Sequence, residues 1–272
     1  LKIKLKNISQ INYRFFPTPH LVISKSDLYF EDKSDLKIST VNNLKIFISI
    51  NKLYQNKQIK IKKVFLSNSN FNFNYHSYKS FLDQLNNFQN KKINIKKSKF
   101  FFENQNNEIS LISSIDNLLY FFNKKTNQKK LKINGNLFDT KYEFKWNKNF
   151  IEDKSSNSIL KFRKPNITFE NYLTYDENLK KSGDFKISFL SNNINIRYIY
   201  DSENLSFESI DNKKQNLKID GNIEMDPFSF EINSSLKNQK IDFLIKSVLL
   251  NYYNFKDNIH PNINGVINLK LD

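Results

Sequence analysis

The chain carries 272 residues, 39% hydrophobic and 15% aromatic, which is enough apolar material for a substantial core and excludes a disordered polymer. Its formal net charge of +16 is almost wholly lysine, with arginine only at Arg14, Arg163 and Arg197; nucleic-acid recognition leans on the guanidinium fork, so no nucleic-acid partner is expected. There is no cysteine, which excludes a disulfide framework and a thiolate metal site.

Asn, Lys, Ile and Phe dominate together, the set an AT-rich coding sequence favours, so the interspersed Lys and Asn read first as a solvated face. No apolar run approaches the roughly 20 residues of a membrane-spanning helix. The sequence starts at Leu1 without a signal pattern and stops at Asp272 within an alternating stretch, and the expectation is a segment of a longer chain.

Period-two alternation runs along most of the sequence. Leu44, Ile46, Ile48 and Ile50 share one strand face, and Phe71, Phe73 and Tyr75 another, with polar residues between them. Helical spacing occurs at Tyr78, Phe81, Leu82, Leu85 and Phe88, with Ser80 and Asp83 as a capping box, and a second short helix is expected over Ser247 to Phe255.

The four glycines are the sharpest signal. LKINGNLFDTKYEF (131–144) and LKIDGNIEMDPFSF (217–230) share the frame L-K-I-(N/D)-G-N-(L/I), and the apolar residues change parity inside each, as a hairpin requires. A turn at Asp139 and Thr140 predicts the pairs Leu137 with Tyr142, Gly135 with Phe144 and Ile133 with Trp146. A loop over Glu224 to Pro227 predicts Ile223 with Phe228, Gly221 with Phe230 and Ile219 with Ile232. Folding 183–200 about Ser191 and Asn192 predicts Phe189 with Ile194, Phe185 with Tyr198 and Gly183 with Tyr200. Each glycine would then face an aromatic ring, which covers the bare backbone of a strand glycine. Gly265 stands in a similar Ile frame, and the four recur at intervals of 48, 38 and 44 residues, a loose period within the range of repeat architectures. Such glycines also mark bends or bulges.

Nothing points to an enzyme, a cofactor or a metal. His20, His76 and His260 lack a second ligand at metal spacing, and no nucleophile elbow, phosphate loop or dinucleotide fingerprint is present. The acidic residues Glu31, Asp32, Asp35, Asp153, Asp176 and Glu177 lie in turn-like stretches among lysines and read as solvated loops. What remains is a surplus of apolar strand face with little helix to cover it, so a second sheet, the sheet's own curl or a lipid-like ligand must do so.

The stretch ISQINYRFFPTPHLVIS (8–24) resembles the start of the first repeat of AsmA-like proteins, in which I-S-G-x-I/V-x-Y, two aromatics and P-x-P precede alternating apolar residues; it departs at Gln10, where the family usually carries glycine. VFLSNSNFNFNYHSYKSFLDQLN, KKINIKKSKFFFEN and LKINGNLFDTKYEF are similar to successive later passages of that family. The resemblance implies a bridge-like lipid-transfer protein, mainly β: a long twisted antiparallel sheet of repeated hairpins curled into an open apolar groove, with one or two short helices. It implies a single continuous β-groove segment, with approximate repeat units 1–130, 131–182, 183–216 and 217–272. It further implies a periplasmic location, an inner-membrane anchor upstream of Leu1, and transfer of phospholipid between inner and outer membrane. The expected groove lining is Ile133, Gly135, Leu137, Tyr142, Phe144 and Trp146, then Phe185, Ile187, Ile196 and Tyr198, then Ile219, Gly221, Ile223, Phe228, Phe230 and Ile232. An outer-membrane barrel and a secreted structural β-repeat or adhesion module are the alternatives.

Overall fold

The computed structural model describes residues 3–30, 37–49, 61–74, 92–104, 108–123, 126–149, 155–164, 166–175, 181–189, 192–201, 203–210, 217–225, 228–240 and 262–271. Both expected helices fall outside them, as do His76, His260 and the acidic residues Glu31, Asp32, Asp35, Asp153, Asp176 and Glu177. The described residues are nearly all strand, with no helix among them. Two compact units divide the chain, Leu1–Ile151 and Glu152–Asp272.

In the first unit the strands are β1 (Ile3–Lys6), β2 (Ile11–Arg14), β3 (His20–Ile23), β4 (Ser26–Phe30), β5 (Lys37–Ile48), β6 (Ile61–Phe73), β7 (Lys92–Glu103), β8 (Ile109–Asn123), β9 (Gln128–Leu137) and β10 (Thr140–Asn149). The scarcity of Gly and Pro lets β5 to β8 run long. One edge of β5 holds two short strands, β3 opposite Leu44 to Phe47 and β4 opposite Lys37 to Val41. β2 pairs outward on β3 and β1 on β4, and from the other edge of β5 the ladder continues in order through β6 to β10. All pairings are antiparallel except β6 with β7, which is parallel. The expected helix from Tyr78 to Phe88 lies in sequence between these two strands, outside the described residues.

A line of irregularities crosses this sheet. The buried residues change parity between Val41 and Leu44 on β5, Leu66 and Ser69 on β6, Ile95 and Ser98 on β7, and Ile115 and Leu118 on β8. Asn42, Asn68, Lys97 and Asp116 are the exposed residues skipped by the register at those points, and Asn68 and Lys97 have φ of 52° and 47°. Aligned bulges keep one face apolar on both sides of the break while bending each strand at the same height. Asn42 Nδ2 donates to the Asn68 carbonyl at 2.9 Å, and the Ser69 amide donates to Ser98 Oγ at 3.2 Å, replacing a ladder bond lost at the bulge. The line ends at Gly135 on β9, opposite Ile115.

The apolar face of this unit is its core, in which Ile23, Val41, Leu44, Phe71, Phe73, Ile95, Phe100, Ile115 and Tyr120 are buried. Phe73 and Phe100 meet edge to face at 5.4 Å between ring centroids, a favoured aromatic geometry.

The second unit is a meander of β11 (Ser156–Phe162), β12 (Ile167–Tyr175), β13 (Lys181–Phe189), β14 (Asn192–Asp201), β15 (Asn204–Ser209), β16 (Leu217–Met225), β17 (Phe228–Lys240) and β18 (Asn262–Leu271), each antiparallel to the next. Neither unit's sheet closes on itself: β2 does not pair with β10, nor β11 with β18.

The three glycine hairpins form, but each is shifted by two residues from the expected register. Gly135 lies opposite Tyr142, not Phe144, with Leu137 opposite Thr140 and the turn at Phe138 and Asp139, whose φ values are 48° and 57°. Both central residues therefore have the positive φ of a type I′ turn, which a sequence reading does not assign to phenylalanine. Gly183 lies opposite Tyr198, not Tyr200, and Gly221 lies opposite Ile232, not Phe230. Moving a turn by one residue moves every pair by two and leaves the same side chains on the same face, so alternation alone cannot choose between these registers.

Candidate functional site

Within each unit the pairing register gives the expected lining residues one parity. In the first unit Ile133 pairs with Phe144, Gly135 with Tyr142 and Leu131 with Trp146, while Ile133 and Trp146 pack against the buried core. In the second unit lateral pairing carries one face across Leu173, Gly183, Tyr198, Phe207, Gly221 and Ile232. A parallel row runs through Leu160, Phe169, Ile187 and Ile194, and between the two rows lie Phe185 and Ile196, opposite each other. Ile219, Ile223 and Phe230 continue the face on β16 and β17, and Phe228 has the same parity. Leu160, Phe169, Leu173, Leu205 and Phe207 belong to this face and are absent from the expected lining, although their alternation is as plain as that of the residues included.

The two faces differ in how well they are covered. Among the described residues every fully buried hydrophobic side chain belongs to the first unit. In the second, Phe169, Phe185, Ile187, Ile196, Tyr198, Ile219, Ile223, Phe230 and Ile232 are each only partly buried. Phe169 stacks on Phe185 at 6.1 Å between ring centroids and meets Phe162 edge to face at 6.3 Å, so aromatic contact runs along the strip. The opposite face carries Glu170, Asp184, Lys186, Arg197, Glu208, Asp220 and Glu231, the wet side of a half-buried sheet.

Aromatic rings do cover the glycines, and at Gly135 and Gly183 they come from the shifted partners. The Tyr198 ring lies across Gly183 and its hydroxyl donates to Asn171 Oδ1 at 2.8 Å, on the strand beyond. The Tyr142 ring lies across Gly135 in the same way, with Oη 2.8 Å from Ser113 Oγ. Asn171 and Ser113 occupy equivalent positions, each two residues before the one opposite the glycine, so the arrangement is a repeated unit. Gly221 is covered by Phe207 from the preceding strand, without a hydroxyl.

Burial raises the Tyr142 and Tyr198 pKa values, and the bonds to Ser113 and Asn171 oppose the shift. Each phenol remains neutral at physiological pH with its oxygen bonded within the sheet, so it sets no free charge on the apolar face. Lys181, at the margin of that face, holds its ammonium 4.8 Å from the Tyr200 ring centroid.

His20 is buried, stacked on Phe47 at 4.9 Å, with Nδ1 donating to the Thr18 carbonyl at 2.7 Å, a structural arrangement. Among the described residues no three His, Asp or Glu side chains are grouped to hold a metal ion. Comparison of the sequence with protein-family models gives no match, and comparison with curated proteins gives none either.

Proposed function

We propose that this chain is a segment of a lipid-transfer bridge, in which the apolar sheet face carries acyl chains of phospholipid between the inner and outer membranes of a two-membraned cell. The single observation that supports this most is the strip across β12 to β17, a run of Phe, Ile and Tyr side chains left half-buried on one face. Each methylene moved from water onto such a floor gains roughly 0.8 kcal/mol, and this burial has no preferred direction along the strip. The tyrosines that cross Gly183 and Gly135 bond their hydroxyls within the sheet, so they offer no polar group to pin a sliding chain. The head group would remain in water, outside the strip, and the site of action would be the periplasm. The resemblance of residues 8–24 and of the glycine hairpin at 131–144 to AsmA-like repeats points the same way.

Native mass spectrometry and solvent extraction of the purified protein test the reading. Phospholipid should accompany the wild type, and the pair Phe185→Glu with Ile196→Glu, opposite each other on the floor, should deplete it. A lipid-free wild type whose strip also ignores an apolar fluorescent probe would leave a structural β-repeat as the better reading.

A further inference from the structure

The wet face of the first unit has a charge pattern that a general lysine bias does not explain. Below the bulge line, β5 to β9 place Lys45, Lys63, Lys92, Lys96, Lys130 and Lys132 on the face opposite the core, interleaved with Phe47, Phe65, Leu119 and Phe121. Among the described residues of these rows the one carboxylate is Glu143, held at 3.1 Å by Lys132 and 3.0 Å by Lys145. The wet face of the second unit mixes signs instead, as in the lateral row Asp184, Arg197, Glu208 and Asp220, where three carboxylates accompany one guanidinium. Cations are crowded on the first face. Burial first, then the charges of Lys92 and Lys96, hold the Lys63 ammonium below its ordinary pKa.

A second feature meets this face at its end. One lateral row runs Arg14, His20, Phe47, Lys63, Lys92, Phe121 and Lys130 across the strands. The connection from β2 to β3 leaves the sheet at the Arg14 end of that row, and it exposes Phe15 at 69% and Phe16 at 89%. A lysine field bordered by solvent-exposed aromatics matches a lipid interface, where the charges meet anionic head groups and the rings enter the boundary below them. An acidic protein surface would satisfy the lysines and leave Phe15 and Phe16 without a role.

We propose that this face of the first unit docks on the surface of an anionic bilayer, with Phe15 and Phe16 at the head-group boundary. The proposal concerns the face opposite the core and does not depend on lipid being carried elsewhere.

The test is flotation with vesicles of equal parts phosphatidylglycerol and phosphatidylcholine, beside vesicles of phosphatidylcholine alone. The whole chain should float with the anionic vesicles at low salt and be released as salt screens the contact. Lys92→Ala and Lys96→Ala, both at exposed positions, should each lower the partition coefficient roughly fivefold. Phe16→Ser should weaken the binding that persists at higher salt. Lys186→Ala, on the wet face of the second unit, should change nothing, and Phe185→Glu with Ile196→Glu, which empties the proposed lipid strip, should leave flotation intact. Equal binding to both vesicle types would overturn the proposal. So would folded protein that fails to float, capture of duplex DNA in preference to anionic vesicles, or salt-sensitive self-association that consumes this face.

Discussion

Tyr198 lies directly opposite Gly183 and folds its ring across it, so that a Cβ built on the glycine would stand 2.5 Å from both Cζ and Oη. The Tyr172 carbonyl on the neighbouring strand would lie 2.5 Å from the same point. Gly183→Ala should therefore destabilise the second unit by about 1–3 kcal/mol, the ordinary cost of overpacking. The double variant Gly183→Ala with Tyr198→Ala should recover only part of that loss, because the Tyr172 carbonyl stays in place. Urea unfolding of the single and double variants checks both statements, and a neutral Gly183→Ala would mean that the ring does not occupy the space above the glycine.

That relationship also marks how far the sequence could be read. The parity change around Gly135, Gly183 and Gly221 identified three hairpins and placed their side chains on the correct face, because burial depends on parity. It did not identify the partners, because registers two residues apart bury the same side chains. At Gly135 the outcome turned on Phe138 accepting a positive φ, which local chemistry disfavours. At Gly221 the covering ring is Phe207, on the preceding strand and outside the hairpin that contains the glycine. The bulge line was harder still. Its trace is the pair of inward residues three apart, such as Val41 and Leu44 or Ile115 and Leu118, which reads as a lapse in alternation until neighbouring strands are laid side by side. The contrast between a basic wet face in the first unit and a mixed one in the second was equally hidden, since it depends on which lysines share a face across strands.

The bulge line makes its own prediction. Ser98 Oγ accepts from the Ser69 amide at 3.2 Å and donates to the Lys96 carbonyl at 2.9 Å, and both serines are buried. Ser98→Ala would leave a buried amide without an acceptor, and should cost about 1–3 kcal/mol. Ser98→Thr keeps the oxygen and should lose less. Amide hydrogen exchange provides the local reading: protection at Ser69 should fall more than at Val64 or Phe71, on either side of the break. A uniform decline along β6 would instead mean that the substitution acts through packing.

Asp27, on β4, receives Lys37 Nζ at 2.8 Å and Asn7 Nδ2 at 2.8 Å, with Thr40 Oγ1 donating at 3.0 Å. It joins the segment after β1 to β5 through one buried carboxylate. The bond from Lys37 first, and that from Asn7 next, lower its pKa from 3.8 to about 2, against the opposing effect of burial. The folded value lies below the unfolded one, so as pH falls the unfolded chain takes up the proton first. The stabilisation is therefore complete above about pH 4 and is lost progressively as pH falls through about 2; the shift corresponds to about 2 kcal/mol. Asp27→Asn removes the titrating group, and should lower stability at neutral pH while flattening this part of the acid limb. Urea midpoints of wild type and variant across that interval would decide it: parallel curves would mean that another carboxylate governs acid unfolding, whereas curves converging toward pH 2 would assign it to Asp27.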